Sequence, residues 1–393
     1  MRVSCTIINT VTLPAITVTL PVIRFSMMYD VITKYRNKLI LCSFILHMAT
    51  FSNIANSALT NTTQDCTKLI TTGKKNLSYP IPSFTKLSFA LEHYIEGDVI
   101  CLVDSYQPVI MIEDFDSGNK PLIIRPLHYL GTTIKSKHYT GTGLTIKNSK
   151  GIIIKGLIIT GGLSAILVQD SSNISLISNR VFDIGNQAIS IKPKYYGGSH
   201  YLIKDNIIFN TGRLHPRYGE GLYIGDGAYT KDKSRLKIRH TVSDVTIRNN
   251  IIHHTNNEAI DVKANAYDVK IIENSISNIN LQFNAAITVA TESSFAELGG
   301  YLIENNVITN ITNRSGYRPI GIAVGHGDTI IKDNLIIDDK IKVVAICLFS
   351  TFLNPKLNKV TLEKNRFIGK GKPFSEACTG GTSDNLKAVI TIK

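Results

Sequence analysis

The chain has 393 residues, a formal net charge of +13 and a hydrophobic fraction of 43%. This length suffices for two or three ordinary domains or for one elongated repeat domain, and either can bury a large core. The positive charge favours an anionic partner, which can be nucleic acid, an acidic membrane surface or an acidic polysaccharide. Dense Arg and Lys runs with interleaved aromatic residues are missing from the sequence, so nucleic acid is disfavoured.

The N-terminal region has the pattern of a secretory signal peptide at residues 35–58. A basic start precedes an apolar run at 39–51 and small residues that suit cleavage. The run is too short to span a bilayer comfortably. We therefore expect a secreted or extracytoplasmic protein with no membrane span in the mature chain. Residues 1–34 form an unusual extension, which favours a start at Met27 or Met28; a buried strand or helix is the alternative interpretation of the apolar run.

Four of the six cysteines follow this segment, namely Cys66, Cys101, Cys347 and Cys378. Their spacing fits no zinc pattern, and an even number in a secreted chain permits disulfides. Three pairings are possible. Pairing of near neighbours, Cys66 with Cys101 and Cys347 with Cys378, would brace the two ends of a long domain.

Residues 59–84 are expected to form a linker or N-terminal cap, and a recurring phrase marks the region that follows. It reads ISLISNRVF, YLIKDNIIF, VTIRNNIIH, VKIIENSIS, YLIENNVIT, TIIKDNLII and VTLEKNRFI. Its asparagines recur at intervals of 24 to 44 residues, at Asn179, Asn206, Asn250, Asn274, Asn306, Asn334 and Asn365. A repeat of this length indicates a solenoid, a propeller or an array, in which each unit buries its apolar side against the next.

A second recurring motif, with the pattern of a β-strand, lies between these asparagines, as in QAISIK, EGLYIG, EAIDVK and AAITVA. Apolar residues alternate in it with period two, which is typical of β-strands. Short strands with an Asn at each turn predict an all-β fold, a right-handed parallel β-helix solenoid. The Asn side chains would stack as an internal ladder that satisfies backbone groups at the bend. WD40 and kelch propellers are the alternative, but their Trp-containing signatures are absent from the sequence.

Three motifs resemble the pectate-lyase-like superfamily of right-handed parallel β-helix proteins over residues 85–393. They are FALEHYIEGDVICLVD at 89–104, GEGLYIG at 219–225 and EAIDVK at 258–263. The first resembles the short capping helix, Gly-Asp turn and first strand that open many members. The superfamily contains lyases, hydrolases, esterases, epimerases and binding proteins, so the resemblance does not choose a reaction.

Alignment of the strand phrases stacks acidic residues on neighbouring coils. Gln187, Glu220 and Glu258 share one column at the start of the strands. Because coils are about 4.8 Å apart, such carboxylates repel unless a cation or a basic side chain lies between them or one holds a proton. Ca²⁺ is the natural candidate for oxygen ligands, and the predicted ligands are Glu220, Asp226, Glu258 and Asp261. A solvated surface ladder neutralised by lysines is the alternative.

Strand alternation predicts that Asp261 and Lys263 face outward on an exposed sheet. Lys192 lies two coils away in the column of Lys263, and Gly225 between them is expected to leave an open floor. An exposed lysine of this kind should be replaceable without loss of stability.

The interval of 44 residues between Asn206 and Asn250 exceeds all others. The excess lies in two basic loops, NTGRLHPRYGEG and GDGAYTKDKSRLKIRHTVS. Long loops of a solenoid cluster on one face and often build the binding site. Basic loops beside a strand face with acids and lysines suit the binding of a polyuronate, whose sugar rings could lie on Tyr223. The alternative interpretation is that the basic loops are only solvated and bind no ligand. The predicted substrate contacts are Tyr223, His215, Arg213 and Lys233.

The resemblance to polysaccharide lyases implies a specific reaction, β-elimination on a polyuronate. In such enzymes a cation or an arginine neutralises the uronate carboxylate, and a lysine or arginine takes the C5 proton. This implies Lys263 as the base, with Lys192 or Arg217 supplying nearby positive charge that lowers its pKa. Two other classes remain open: a glycoside hydrolase, which needs two carboxylates across the bond, and a non-catalytic carbohydrate-binding or adhesive protein. We expect a monomer.

Overall fold

A computed structural model describes residues 65–72, 81–136, 139–227, 240–263, 265–282, 284–291, 298–325, 327–340, 342–348, 359–375 and 389–392. The predicted signal peptide, Lys233 and Cys378 lie outside these ranges. Within them the strands form three parallel sheets, of 13, 10 and 10 strands. This is the right-handed parallel β-helix that the sequence predicted. No helix in the described part of the chain is long and apolar enough to cross a membrane.

Ten coils contribute one strand to each sheet, in the order sheet 1, sheet 2, sheet 3, and sheet 1 has three further strands, Lys68–Ile70, Ser83–Phe84 and Val389–Ile392. The strands of sheet 1 are Lys68–Ile70, Ser83–Phe84, Val99–Leu102, Leu122–Pro126, Lys150–Lys155, Ser172–Ile177, Gly198–Lys204, Val242–Arg248, Ala266–Ile272, Tyr301–Glu304, Thr329–Lys332, Lys359–Glu363 and Val389–Ile392. Those of sheet 2 are Tyr106–Gln107, Thr133–Lys135, Ile158–Thr160, Arg180–Phe182, Ile207–Phe209, Ile251–His253, Ser275–Leu281, Val307–Asn313, Leu335–Asp338 and Arg366–Gly369. Those of sheet 3 are Ile110–Glu113, Thr142–Lys147, Ser164–Gln169, Ile189–Lys192, Leu222–Ile224, Ile260–Val262, Ile287–Val289, Ile320–Val324, Val344–Leu348 and Lys372–Ser375.

The α-helix Leu87–Glu92 contacts the strands Lys68–Ile70 and Ser83–Phe84, and its Ala90 is buried. The strand Lys68–Ile70 pairs with Val99–Leu102, so the segment before residue 85 already contributes to sheet 1. Cys66 and Cys101 form a disulfide with a Cα–Cα distance of 5.8 Å, which confirms that predicted pair. The pairing of Cys347 with Cys378 stays a prediction.

The bend from sheet 1 to sheet 2 is built from two residues. The first has a left-handed φ of 54° to 57° at Ser178, Asp205 and Asn249. The second is the ladder asparagine. Asn206 donates from Nδ2 to the carbonyl of Leu176 at 2.8 Å and to Oδ1 of Asn250 at 3.0 Å. The same contacts repeat along the column from Asn179 to Asn365.

Replacing Asn250 with alanine is expected to lower the free energy of unfolding by about 2–4 kcal/mol. Asn250 is fully buried, and its loss leaves the backbone N–H of Asn206 and the carbonyl of Ile203 without their partners. Buried polar groups left unsatisfied cost about 1–3 kcal/mol each. Urea unfolding measures the change. The exposed Asn119 is the control, and its alanine variant should unfold like the wild type; an equally stable Asn250→Ala protein would contradict a stabilising ladder.

Candidate functional site

The site lies on the outer side of sheet 3, where Leu222–Ile224 pairs with Ile260–Val262. The register sets Tyr223 beside Asp261, and Ser190 beside Tyr223 on the preceding coil. The backbone N–H groups of Ala188 and Gly221 donate to the carbonyls of Glu220 and Glu258, respectively. The columns that the sequence alignment predicted therefore exist.

The predicted exposure of Asp261 and Lys263 is wrong. Lys263 is 8% exposed, Glu220 4%, Glu258 2% and Asp261 1%. Asp261 points away from the core, because its neighbours Ile260 and Val262 fill the interior. Outward orientation on the strand is thus not the same as contact with solvent at this position. The acids form a buried cluster.

Three carboxyl groups meet in this cluster. Glu220, Glu258 and Asp261 each offer an oxygen within 4.8 Å of the others. One oxygen of each acid is held by a donor: Asn257 to Glu220 at 3.4 Å, Asn284 to Glu258 at 2.8 Å and Lys263 to Asp261 at 2.7 Å. The second oxygen of each acid is buried without a hydrogen-bond partner. A cation or protons can satisfy oxygens arranged in this way.

Burial governs the charge state of the three acids. It raises the pKa of Glu220 to about 7, with a further contribution from Asp261. Burial and then the charges of Asp261 and Glu220 raise the pKa of Glu258 well above its usual value. Burial also raises the pKa of Asp261, against the opposing effect of Lys263. Without a bound cation, burial therefore favours protonation of these acids near neutral pH.

Two lysines share the ring of Tyr223. Nζ of Lys192 lies 4.4 Å from the ring centroid and Nζ of Lys263 lies 5.1 Å from it. Burial lowers the pKa of Lys192, although Asp226 and Glu220 oppose the shift. Burial raises the pKa of Tyr223, whose hydroxyl oxygen accepts a hydrogen bond from the N–H of Gly227 at 2.9 Å. Both lysine amino groups therefore lie near the ring on which the sequence places a sugar, and that role of Tyr223 stays a prediction.

Gly225 does not leave the open floor that we expected between the lysines. Its φ is +91°, and a Cβ atom there would lie 2.5 Å from Oδ1 of Asn265 and 3.0 Å from Cβ of Lys263. The glycine is required by a left-handed backbone and a close approach. Because Gly225 has no Cβ atom, Lys263 on the neighbouring coil can pack close to its backbone.

The remaining predicted residues lie around the cluster. Arg213, His215 and Arg217 are exposed in the segment that precedes Glu220, where Pro216–Tyr218 forms a 3₁₀ turn. Asn257 donates both to the carbonyl of Arg217 and to Glu220, which ties this segment to the acids. Asp226, the fourth predicted cation ligand, is exposed and does not belong to the group of three.

Sequence reasoning missed the asparagines that orient the acids. Asn257 and Asn284 each precede a strand phrase, in NEAI at 257–260 and NAAI at 284–287. The same phrase occurs as NQAI at 186–189. Extending the repeat by one residue toward the N-terminus would have shown this Asn position.

Comparisons with known proteins agree with this architecture. A family model described as "Right handed beta helix region" matches residues 116–241. The alginate lyase from Paenibacillus sp. str. FPU-7 superposes with a TM-score of 0.53 at 16% identity, covering 74% of this chain and 95% of that one. The GH136 lacto-N-biosidase from Eubacterium ramulus superposes with a TM-score of 0.51 at 10% identity, covering 93% and 73%. Curated proteins gave no sequence match.

At these identities the solved structures bear on the fold alone. The sheets, the matched family region and the superposed solenoids are mutually consistent. The chain therefore has the fold of a right-handed parallel β-helix.

Proposed function

We propose that the protein is a polysaccharide lyase that cleaves a polyuronate by β-elimination. The observation that carries this proposal is the pair of lysines on Tyr223, of which one is ion-paired to a buried aspartate and the other has a lowered pKa. β-Elimination needs a positive charge at the uronate carboxylate, a base for the C5 proton and an acid for the leaving oxygen. The three side chains can supply these three functions.

Lys263 fits the charge-neutralising function. Asp261 lies 2.7 Å from its Nζ, and a carboxylate this close favours the ammonium form. A fixed ammonium stabilises the negative charge that develops on the uronate carboxylate when C5 loses its proton. We therefore assign the role of base to Lys192, although the sequence had suggested Lys263.

Lys192 fits the role of base. A neutral amine is needed to accept a proton, and burial shifts Lys192 toward that form. As its Nζ takes the C5 proton, the C–H electron pair forms the C4–C5 double bond and the C4–O bond breaks. Tyr223 holds its hydroxyl proton because burial raises its pKa, and it can donate that proton to the leaving oxygen.

The acid cluster adjoins the lysine pair through the contact of Asp261 with Lys263. Its three unpartnered oxygens and their mutual distance of at most 4.8 Å suit a cation with oxygen ligands at about 2.3–2.6 Å. We propose Glu220, Glu258 and Asp261 as ligands of Ca²⁺, with water completing the coordination. A bound cation would hold Asp261 ionised and so keep Lys263 charged.

A glycoside hydrolase is the second candidate, because a carboxyl group with a pKa of about 7 can act as a general acid. Its two carboxyl groups must flank the scissile bond, at roughly 5–5.5 Å or 6.5–9.5 Å depending on the mechanism. Here the three acids lie closer together and are at most 4% exposed. A sugar cannot lie between them, so the geometry favours the lyase. Both activities are named among the superposed structures, and the fold does not choose between them.

Incubation with polyuronates tests the proposal directly. Purified protein with pectate, alginate or a glycosaminoglycan should produce the ultraviolet absorbance of an unsaturated uronate, more strongly with calcium than with a chelator. New reducing ends without that absorbance would identify a hydrolase. Binding without any product would identify the carbohydrate-binding alternative. Secretion through residues 35–58 and a monomeric state complete the proposal, and mass spectrometry of exported protein tests the former.

A further inference from the structure

Two exposed tyrosines lie three and four residues beyond Lys192. Tyr195 is 52% exposed and Tyr196 is 79% exposed, and their ring centroids are 6.4 Å apart at an interplanar angle of 59°. Nζ of Lys194 lies 4.8 Å from the Tyr195 centroid. Large aromatic side chains in water next to a proposed reaction site offer apolar faces that a ligand can cover.

The loop that carries these rings is held firmly. Oδ1 of Asp170 accepts hydrogen bonds from the backbone N–H groups of Lys194, Tyr195, Tyr196 and Gly197 at 2.7–3.2 Å. Burial opposes ionisation of Asp170, but these donors hold its pKa below the usual value. Such a clamp fixes the backbone of the loop while both rings stay in solvent. A binding surface with this property loses little entropy when a ligand arrives.

The loop is also aligned with the lysine pair. On sheet 3 the strand register places Lys147, Gln169 and Lys192 in one column on three successive coils. Asp170, which binds the loop backbone, directly follows Gln169 in the chain, and this places the loop beside the column. A polymer that reaches Lys192 and continues along the column toward the N-terminal end therefore passes the two tyrosines.

From these observations we propose that Tyr195 and Tyr196 form a sugar subsite, which binds a uronate residue of the polymer on the N-terminal side of the lysine pair. The inference rests on the proposed function for its choice of ligand. Sugar rings stack on the exposed aromatic faces, and Lys194 supplies the charge that a uronate carboxylate needs.

Alanine substitution with oligomers of two lengths tests the subsite. For Tyr195→Ala and Tyr196→Ala we expect about 3- to 10-fold weaker binding of a galacturonate hexamer or an alginate hexamer. This change corresponds to the loss of one aromatic contact, which contributes about 0.5–1.5 kcal/mol. A dimer should bind to all variants alike, since it need not extend past the lysines. Tyr195→Phe should bind like the wild type. Tyr106→Ala is the matched control, because Tyr106 is 69% exposed in sheet 2.

Isothermal titration calorimetry on these proteins, each carrying Lys192→Met to prevent turnover, separates the subsite from the proposed reaction. Hexamer affinity that does not change in either alanine variant would overturn the subsite. Tyrosine-dependent binding by a wild-type protein that never cleaves the polymer would keep the subsite and overturn the lyase. Steady-state kinetics give the third measurement: KM for long polymers should rise in the alanine variants while kcat changes little.

Discussion

Replacing Lys192 with arginine is expected to lower kcat on the cleaved polyuronate by about 10²- to 10⁴-fold, the usual effect of losing a general base. Arginine keeps the positive charge but is not deprotonated in proteins. In the wild type the rate should rise with pH through the lowered pKa of Lys192, because only its neutral amine accepts a proton. Initial rates from the unsaturated product, measured across the pH range, should show this rise and its loss in the variant.

The neighbouring lysine should respond in the opposite way. Lys263→Arg keeps an ammonium-like charge beside Asp261 and is expected to retain kcat within about tenfold. Lys263→Met should lose activity and also about 3–5 kcal/mol of stability, because it leaves Asp261 buried without its partner. An active Lys192→Arg enzyme with an inactive Lys263→Arg enzyme would reverse the two assignments. Lys135→Met, an exposed change in sheet 2, serves as the control.

Calcium is expected to raise the free energy of unfolding, and to do so more at about pH 8 than at about pH 5.5. A ligand at one hundred times its Kd stabilises the native state by about 2.7 kcal/mol. Protons compete for the same three carboxyl groups, since burial raises the pKa of each acid. The competition weakens as pH rises past the value of about 7 for Glu220.

In chelator the pH dependence should run the other way. The folded-state pKa of Glu220, about 7, lies above its ordinary value of 4.5. The folded state therefore binds the proton more tightly than the unfolded state does. This contribution to stability is complete below about pH 4.5 and is lost as pH rises through about 7. The contribution of Glu220 to the free energy of unfolding therefore falls as pH rises between those two values.

The Glu258→Gln variant tests both the stabilisation by calcium and the pH dependence of stability in chelator. Glutamine can still accept the hydrogen bond from Asn284, but it removes one anionic ligand. The calcium effect should be lost, and the pH dependence in chelator should become shallower. Asp226→Asn is the matched control, because Asp226 is exposed outside the cluster. A wild-type protein that calcium does not stabilise at any pH would show that the acids hold protons instead of a cation.

The sequence by itself determined the solenoid and its columns. Strand side chains alternate with period two, and a fixed Asn at one bend of each coil sets the register between coils. Those two regularities were sufficient to predict that Glu220 stacks with Glu258 and that Tyr223 lies beside Asp261. The disulfide between Cys66 and Cys101 was among the pairings that the cysteine count allowed.

Only the tertiary structure decided which outward-facing side chains are exposed to solvent. A period-two pattern separates core from outer face, but it does not show what packs on the outer face, so Asp261 and Lys263 were expected to be exposed and are buried. The asparagine partners of Glu220 and Glu258 come from other coils: Asn257 and Asn284 are 37 and 26 residues from the acids they contact. The Tyr195 loop is likewise fixed by Asp170, 25 residues earlier in the chain. Contacts between coils depend on side-chain packing in three dimensions. This packing decides which of the aligned residues are buried, form an ion pair or hold a proton.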